Sequence, residues 1–284
     1  MKYPIGLSRN VSQNVENILE GFARAGITHL ELSPLDYTPK YALDFSRIAA
    51  AAKANNVKIW SLHLPFWPFD ILELSKKELC KNTLVYMQEI IEQASDIGIE
   101  KFVVHSSGEP IEENEREERM KCAQESLYTL ASYAKSKGGV IAVEDLPRSC
   151  LGNHSNEILQ LISVHENLKV CLDTNHLFNE DLSDFVKNVG KKLITLHVSD
   201  YDFVNERHWL PGEGKIDWQA LLKALSEVGY QGVWLYEIGA KCPNSILRDR
   251  DLTPEDFVRN ANELFDGKTP TVFSKPKPNL GYWD

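Results

Sequence analysis

LKVCLDTNH (168–176) and LITLHVSDYDFVNERHWLPGEGKIDW (193–218) lie one helix-length apart, and together they decide how the chain folds. Each opens on a short run of Val, Ile and Leu, then turns to side chains that hold cations: Asp173 and His176 in the first, His197 and Asp200 in the second. A run that is apolar on both faces is a strand covered from both sides, as in a parallel sheet flanked by helices. Polar residues at the end of such a run mark the place where the strand leaves the sheet and enters a site. Glu206, Arg207 and His208 follow in the next loop, so one segment carries carboxylate, imidazole and guanidinium groups.

Working outward, the same alternation recurs along the whole chain. Candidate strands are IGLS (5–8), HLELS (29–33), VKIWSLHL (57–64), KFVVHS (101–106), GVIAVED (139–145), LKVCLD (168–173), LITLHVS (193–199) and GVWLYEI (232–238). Helical periods lie between them. NVENILEGFARAG (14–26) ends on Gly26 as a stop, and KNTLVYMQEIIEQASDIG (81–98) follows the third strand. DWQALLKALSEVGY (217–230) sets Leu221, Leu222, Leu225 and Val228 on one face behind an Asp217 cap. DLTPEDFVRNANELF (251–265) places Thr253 before a first-turn proline.

Strand and helix alternating eight times without a break in composition predict an α/β fold, a closed (β/α)8 TIM barrel. An open doubly wound sheet brings a glycine-rich loop after its first strand, whereas here that loop is SRNVSQ (8–13). The barrel is expected over 1–266 as a single domain. The tail GKTPTVFSKPKPNLGYWD (267–284) is expected to extend over the barrel or against a second subunit, without chemistry of its own. A homo-oligomer is one open alternative.

Composition sets the outer limits. The chain has 284 residues, 43% of them hydrophobic, enough for one large core. Lys and Arg number 31 against 41 Asp and Glu, a net charge of -10, which argues against a broad nucleic-acid surface. MKYPIGLSRNVSQ has no apolar leader core and no run is long enough to span a bilayer, so the expected location is cytoplasmic. The cysteines (80, 122, 150, 171, 242) are odd in number and lack a CxxC pair, as expected of reduced thiols.

In a barrel the site is built at the C-terminal strand ends. These ends offer Glu31, His63, His105, Glu144, Asp173 with His176, His197 and Glu237. Carboxylates converging on one mouth repel each other unless a cation lies between them. Glu144, Asp173, His197 and Glu237 make a mixed oxygen and nitrogen shell that suits Mn, Mg, Co or Zn, with no thiolate to select zinc. Phe66, Trp67 and Phe69 read as packing under the loop after strand 3 rather than as a pocket wall.

At these residues the chain resembles the xylose isomerase-like barrel superfamily, which holds sugar isomerases, ketose 3-epimerases, inosose dehydratases and the endonuclease IV family. The matching segments are VEDLP (143–147), CLDTNH (171–176), LHVSD (196–200), RHWLPGEGKIDW (207–218) and LYEI (235–238), with weaker agreement at LHLPF (62–66) and VVHSS (103–107). An epimerase-like match implies Glu144, Asp173, His197 and Glu237 as metal ligands. Glu144 and Glu237 would exchange a proton with the substrate through an enediolate. His176 and Arg207, with His63, His105 and His208, would contact substrate. Ketohexose 3-epimerases carry a further glutamate after the strand-5 ligand; here that loop is DLPRSCLGN (145–153), with Arg148 and Cys150.

The endonuclease IV match implies a larger shell. His63, His105, His176, Glu206 and His208 would join the first four residues around three zinc ions that activate water for phosphodiester cleavage. Glu206 stands where that family has aspartate. The loop SSGEPIEENEREE (106–118) is strongly acidic and LPFWPFDILE (64–73) carries no basic residue, a poor rim for a phosphate backbone. The sequence therefore favours a metal-dependent isomerase or epimerase of a small carbohydrate. The endonuclease IV-like hydrolase and an inosose dehydratase-like lyase are the alternatives, and a non-catalytic sugar-binding barrel ranks last.

Overall fold

A computed structural model describes residues 2–11, 13–33, 43–278 and 280–281. Eight parallel strands form the barrel: β1 (Ile5–Arg9), β2 (His29–Leu32), β3 (Lys58–His63), β4 (Lys101–Val104), β5 (Val140–Glu144), β6 (Leu168–Asp173), β7 (Leu193–His197) and β8 (Trp234–Tyr236). Their order is β7-β6-β5-β4-β3-β2-β1-β8. The ring closes just past β7, where Val198 bridges to Tyr236. There the Val198 amide donates to the Leu235 carbonyl (2.8 Å) and the Glu237 amide donates to the Val198 carbonyl (3.2 Å). Closure therefore fixes Glu237 next to His197.

Helices α1 (Val15–Ala25), α2 (Phe45–Ala54), α3 (Lys77–Ser95), α4 (Arg116–Ser136), α5 (Ser155–Ile162), α6 (Leu182–Val189), α7 (Trp218–Glu227) and α8 (Pro254–Phe265) surround the ring. Each forms where the sequence gives a 3.6-residue apolar stripe and a way to end it. Helix α1 buries Val15, Leu19 and Phe22, and Gly26 closes it in the left-handed region at φ 91°. Each large apolar side chain so buried contributes roughly 1.5–3 kcal/mol. Asp217 caps α7 by accepting from the Ala220 amide at 3.0 Å. The Asp256 carboxylate of α8 accepts from the Thr253 amide at 2.8 Å, with Pro254 in the first turn.

Register delivers the site residues to one level. Asp173 and His197 are paired across β6 and β7, and Glu144 sits beside Cys171 across β5 and β6. The sequence reading did not find two short strands: β9 (Ile246–Arg248), after β8, pairs antiparallel with β10 (Ser274–Pro276) in the C-terminal tail. Strands of three residues carry no readable period. Among the described residues no helix is long and apolar enough to cross a membrane.

Candidate active site

The ends of β5, β6, β7 and β8 bring Glu144, Asp173, His197 and Glu237 together, with one ligand atom from each lying within 4.8 Å of all the others. His197 Nδ1 is 3.1 Å from Glu144 Oε1 and 3.2 Å from Glu237 Oε2. Asp173 Oδ1 accepts from the Asn175 amide at 2.7 Å, while its Oδ2 is buried without a hydrogen-bond partner among the described residues. A buried carboxylate oxygen left unpaired is costly unless something outside the chain satisfies it. Three carboxylates and one imidazole aimed at a common point fit a hard or borderline divalent cation.

The electrostatics agree with that fit. Burial pushes Asp173 up to about 7; His176 opposes this, while the charges of Glu237 and Glu144 add to it. Burial also acts to raise Glu144, yet the imidazoles of His197 and His105 hold it well below the usual carboxylate range. The cluster thus carries more negative charge than it can hold fully ionised, which is the condition a metal ion relieves. Behind it, Glu31 is fully buried, its Oε1 2.9 Å from His197 Nε2 and its Oε2 accepting from Ser61 Oγ at 2.6 Å. The approach to His197 is close but poorly aligned, so it acts mainly as charge.

Three of the four histidines that line the cavity are anchored in the same way. His63 Nδ1 donates to the Leu64 carbonyl (2.9 Å), His176 Nδ1 to the Asp145 carbonyl (2.8 Å) and His208 Nδ1 to the Glu237 carbonyl (3.2 Å). A carbonyl only accepts, so each ring carries its proton on Nδ1 and turns Nε2 toward carboxylates. His63 Nε2 is 3.0 Å and His105 Nε2 3.4 Å from Glu144 Oε2. His176 Nε2 lies 3.7 Å and His208 Nε2 3.9 Å from Glu206 Oε2. Anchoring one nitrogen on a backbone carbonyl fixes the tautomer and leaves the other for a proton or a cation.

Above the cluster opens a cavity of about 460 Å³, lined by His63, His105, Glu144, His176, Glu206, His208 and Glu237. Phe66 and Phe69 also line it, with the Phe66 ring stacked on His105 at 3.9 Å between centroids. This corrects the reading of the aromatic loop as simple packing; only Trp67, 56% exposed, stays clear of the cavity. Arg148, at φ 53°, crosses the mouth: its Nε is 2.9 Å from both Glu109 oxygens, and its Nη1 is 2.8 Å from Asn205 Oδ1 and 2.6 Å from Glu206 Oε1. Arg207 turns elsewhere and does not line the cavity. Its Nε donates to Asp202 Oδ2 at 3.0 Å and its Nη2 to the Gly281 carbonyl at 3.0 Å, so it ties the His208 loop to the tail.

A model of the xylose isomerase-like TIM barrel family matches residues 19–258. The chain belongs to this family. It is 24% identical over 280 residues to an inosose isomerase of Bacillus velezensis, covering 93% of this chain and 95% of that one. It is 26% identical over 146 residues to a fructoselysine 3-epimerase of Escherichia coli O157:H7, covering 46% and 53%. A Methanocaldococcus jannaschii protein is 26% identical over 181 residues, so the match spans 61% of that protein's length. In fold the chain is similar to a D-tagatose 3-epimerase-like protein (TM-score 0.76, 22% identity, 94% and 96% covered). It is also similar in fold to a D-psicose 3-epimerase of Clostridium cellulolyticum H10 (TM-score 0.69, 21% identity, 86% of each chain).

Within this xylose isomerase-like barrel, the PGEG loop is architecture. Asp200, grouped by the sequence with the cation-holding side chains, accepts instead from the Tyr201 amide (2.9 Å), the Gly212 amide (2.8 Å), the Ile216 amide (3.2 Å) and Trp218 Nε1 (3.0 Å). Glu213 accepts from the Leu210 amide and pairs with the buried side chain of Arg248 at 2.9 Å. Two cavity residues on β1, Ser8 and Arg9, escaped the sequence reading, which searched strand ends for carboxylate and imidazole only. The signal available was Arg9 itself, a cation at the last position of a strand.

Proposed function

We propose that this chain is a divalent-metal-dependent isomerase or epimerase of a small sugar or polyol. The observation that carries the reading is the placement of Glu144 and Glu237, on β5 and just past β8, at 3.1 and 3.2 Å from the same His197 nitrogen. The relatives named inosose isomerase and fructoselysine 3-epimerase support it.

A divalent ion, when held by Glu144, Asp173, His197 and Glu237, supplies Lewis-acid polarisation of a carbonyl and its neighbouring hydroxyl. The chain's own groups do the rest. One of the two glutamates removes the proton from the carbon beside the carbonyl, leaving an enediolate, and the other returns a proton from the opposite side. Glu144 starts ionised beside its imidazoles, whereas Glu237 must take a proton from solvent before it can return one; exchange with solvent after the step resets both groups. His176 and His208 face the cavity as donors to substrate oxygens, and Phe66 with Phe69 forms an apolar wall.

Glu144→Gln and Glu237→Gln separately test this reading. Each variant should fold and lose turnover by at least a thousandfold; full activity in both would end the two-glutamate mechanism. A second reading, an endonuclease IV-like hydrolase, is favoured by the convergence of His63 and His105 on Glu144 and of His176 and His208 on Glu206. Metal content separates the two, about one ion per chain against roughly two to three zinc. A lyase of the inosose dehydratase type would use the same residues and would be recognised by loss of water in the product.

A further inference from the structure

The rim of the cavity treats its two arginines differently. Arg148 is shared between Glu109 and Glu206, so an anion approaching it meets two carboxylates already in place. Arg9, the last residue of β1, has no carboxylate partner among the described residues. Its Nη1 donates to the carbonyls of Ser8 and Ile238, each at 2.7 Å, and its guanidinium lies 5.4 Å from the Phe257 ring centroid. These contacts fix the group without neutralising it. Burial draws Arg9 down to about 10, which still leaves it charged.

Beside it, Ser8 is 5% exposed, lines the same cavity, and its hydroxyl has no hydrogen-bond partner among the described residues. A buried, unpaired hydroxyl and a held guanidinium with no carboxylate beside it, both on residues lining one cavity, are the kinds of group that bind an oxyanion. In an eight-membered ring β1 stands opposite β5, so the receptor faces Glu144 across the mouth.

We propose that Ser8 and Arg9 bind an anionic group, a carboxylate or phosphate, carried by the substrate at the end remote from the reacting carbon. The inference rests on the isomerase or epimerase reading for the word substrate, but the receptor itself is testable without turnover. Within that reading it narrows the class to acidic or phosphorylated sugars and polyols. The hydroxyl-bearing part of the molecule would then lie toward the metal-ligand side.

Calorimetry on the protein as purified, with inorganic phosphate, glycolate and the neutral polyol xylitol as probes, decides the matter. Arg9→Gln should weaken phosphate, glycolate or both by at least tenfold while leaving xylitol within about twofold. Arg9→Lys, which keeps the charge and the stem, should recover part of the loss, and the anion that loses more names the source. These binding measurements need no turnover, so a failure of the catalytic reading leaves their result intact. The proposal is overturned if neither anion binds the unaltered protein, if Arg9→Gln binds both unchanged, or if all three probes weaken together.

Discussion

Glu31 lies 2.9 Å from the Nε2 of His197, on the side of the ring away from the Nδ1 that faces Glu144 and Glu237. Both side chains are fully buried, and Ser61 Oγ fixes the second Glu31 oxygen. The carboxylate favours a proton on Nε2, which leaves Nδ1 free as a ligand between Glu144 and Glu237. Such outer partners typically govern metal affinity tenfold to a hundredfold. Glu31→Gln is accordingly expected to weaken divalent-metal binding by about tenfold while the fold persists. A metal titration followed by calorimetry, with circular dichroism as the control, measures this; unchanged affinity would make Glu31 a mere filler of the barrel interior.

Arg207 was expected to contact substrate, and its geometry points to a different task. Its side chain is 1% exposed, and it ties Asp202 and the Gly281 carbonyl to the loop bearing Glu206 and His208. Removing one partner of a buried, hydrogen-bonded charge pair costs on the order of 3 kcal/mol. Arg207→Ala should therefore lower the melting temperature by several degrees and reduce activity through a displaced loop. Deleting residues 277–284 should reproduce part of that loss, measured by thermal unfolding. A truncated chain as stable and active as the full one would show that the tail does not support the loop.

The frame was legible because its grammar is periodic. Apolar runs such as VKIWSLHL and LITLHVS can only be strands covered on both faces, and eight of them separated by amphipathic stretches leave few topologies. The convergence of Glu144, Asp173, His197 and Glu237 was legible for the same reason, since strand ends in a closed ring share one rim. Apart from Ser8 and Arg9 on β1 and the short β9–β10 pair, what escaped lay in loops, where no period relates position to direction. Asp200 and Asp173 are the same residue type at neighbouring strand ends, yet one organises a turn and the other faces the cluster. Arg148 and Arg207 both follow strand ends, and only the folded loops decide that Arg148 enters the cavity.

Gly214 occupies the tightest point of the PGEG turn. A Cβ there would stand 2.3 Å from Asp200 Oδ1 and 2.4 Å from the Tyr201 carbonyl, and a backbone atom cannot swing aside. Gly214→Ala must push Asp200 off the amides and the indole it holds, so a loss of about 2–4 kcal/mol is expected. Urea unfolding should show a lower midpoint with an unchanged slope. An unaltered midpoint would mean that the loop relaxes freely and that Asp200 contributes little.

At the opposite end of the barrel, His29 opens β2 and packs edge-on against Trp60, with Lys58 and Lys101 nearby. Burial first, then the charges of Lys58 and Lys101, draw His29 from 6.5 to about 4. In the unfolded chain the imidazole takes up its proton near pH 6.5, whereas in the fold it stays neutral until about pH 4. Unfolding thus binds a proton in this window, and stability falls as pH drops from about 6.5 toward 4. The shift alone would correspond to about 3 kcal/mol, and partial solvent access reduces the expected loss to about 1 kcal/mol. His29→Gln removes the titration, so its unfolding free energy should fall less than that of the unaltered protein between pH 7 and pH 5. Parallel curves for the two proteins across that interval would refute the assignment and move the acid sensitivity to the carboxylates.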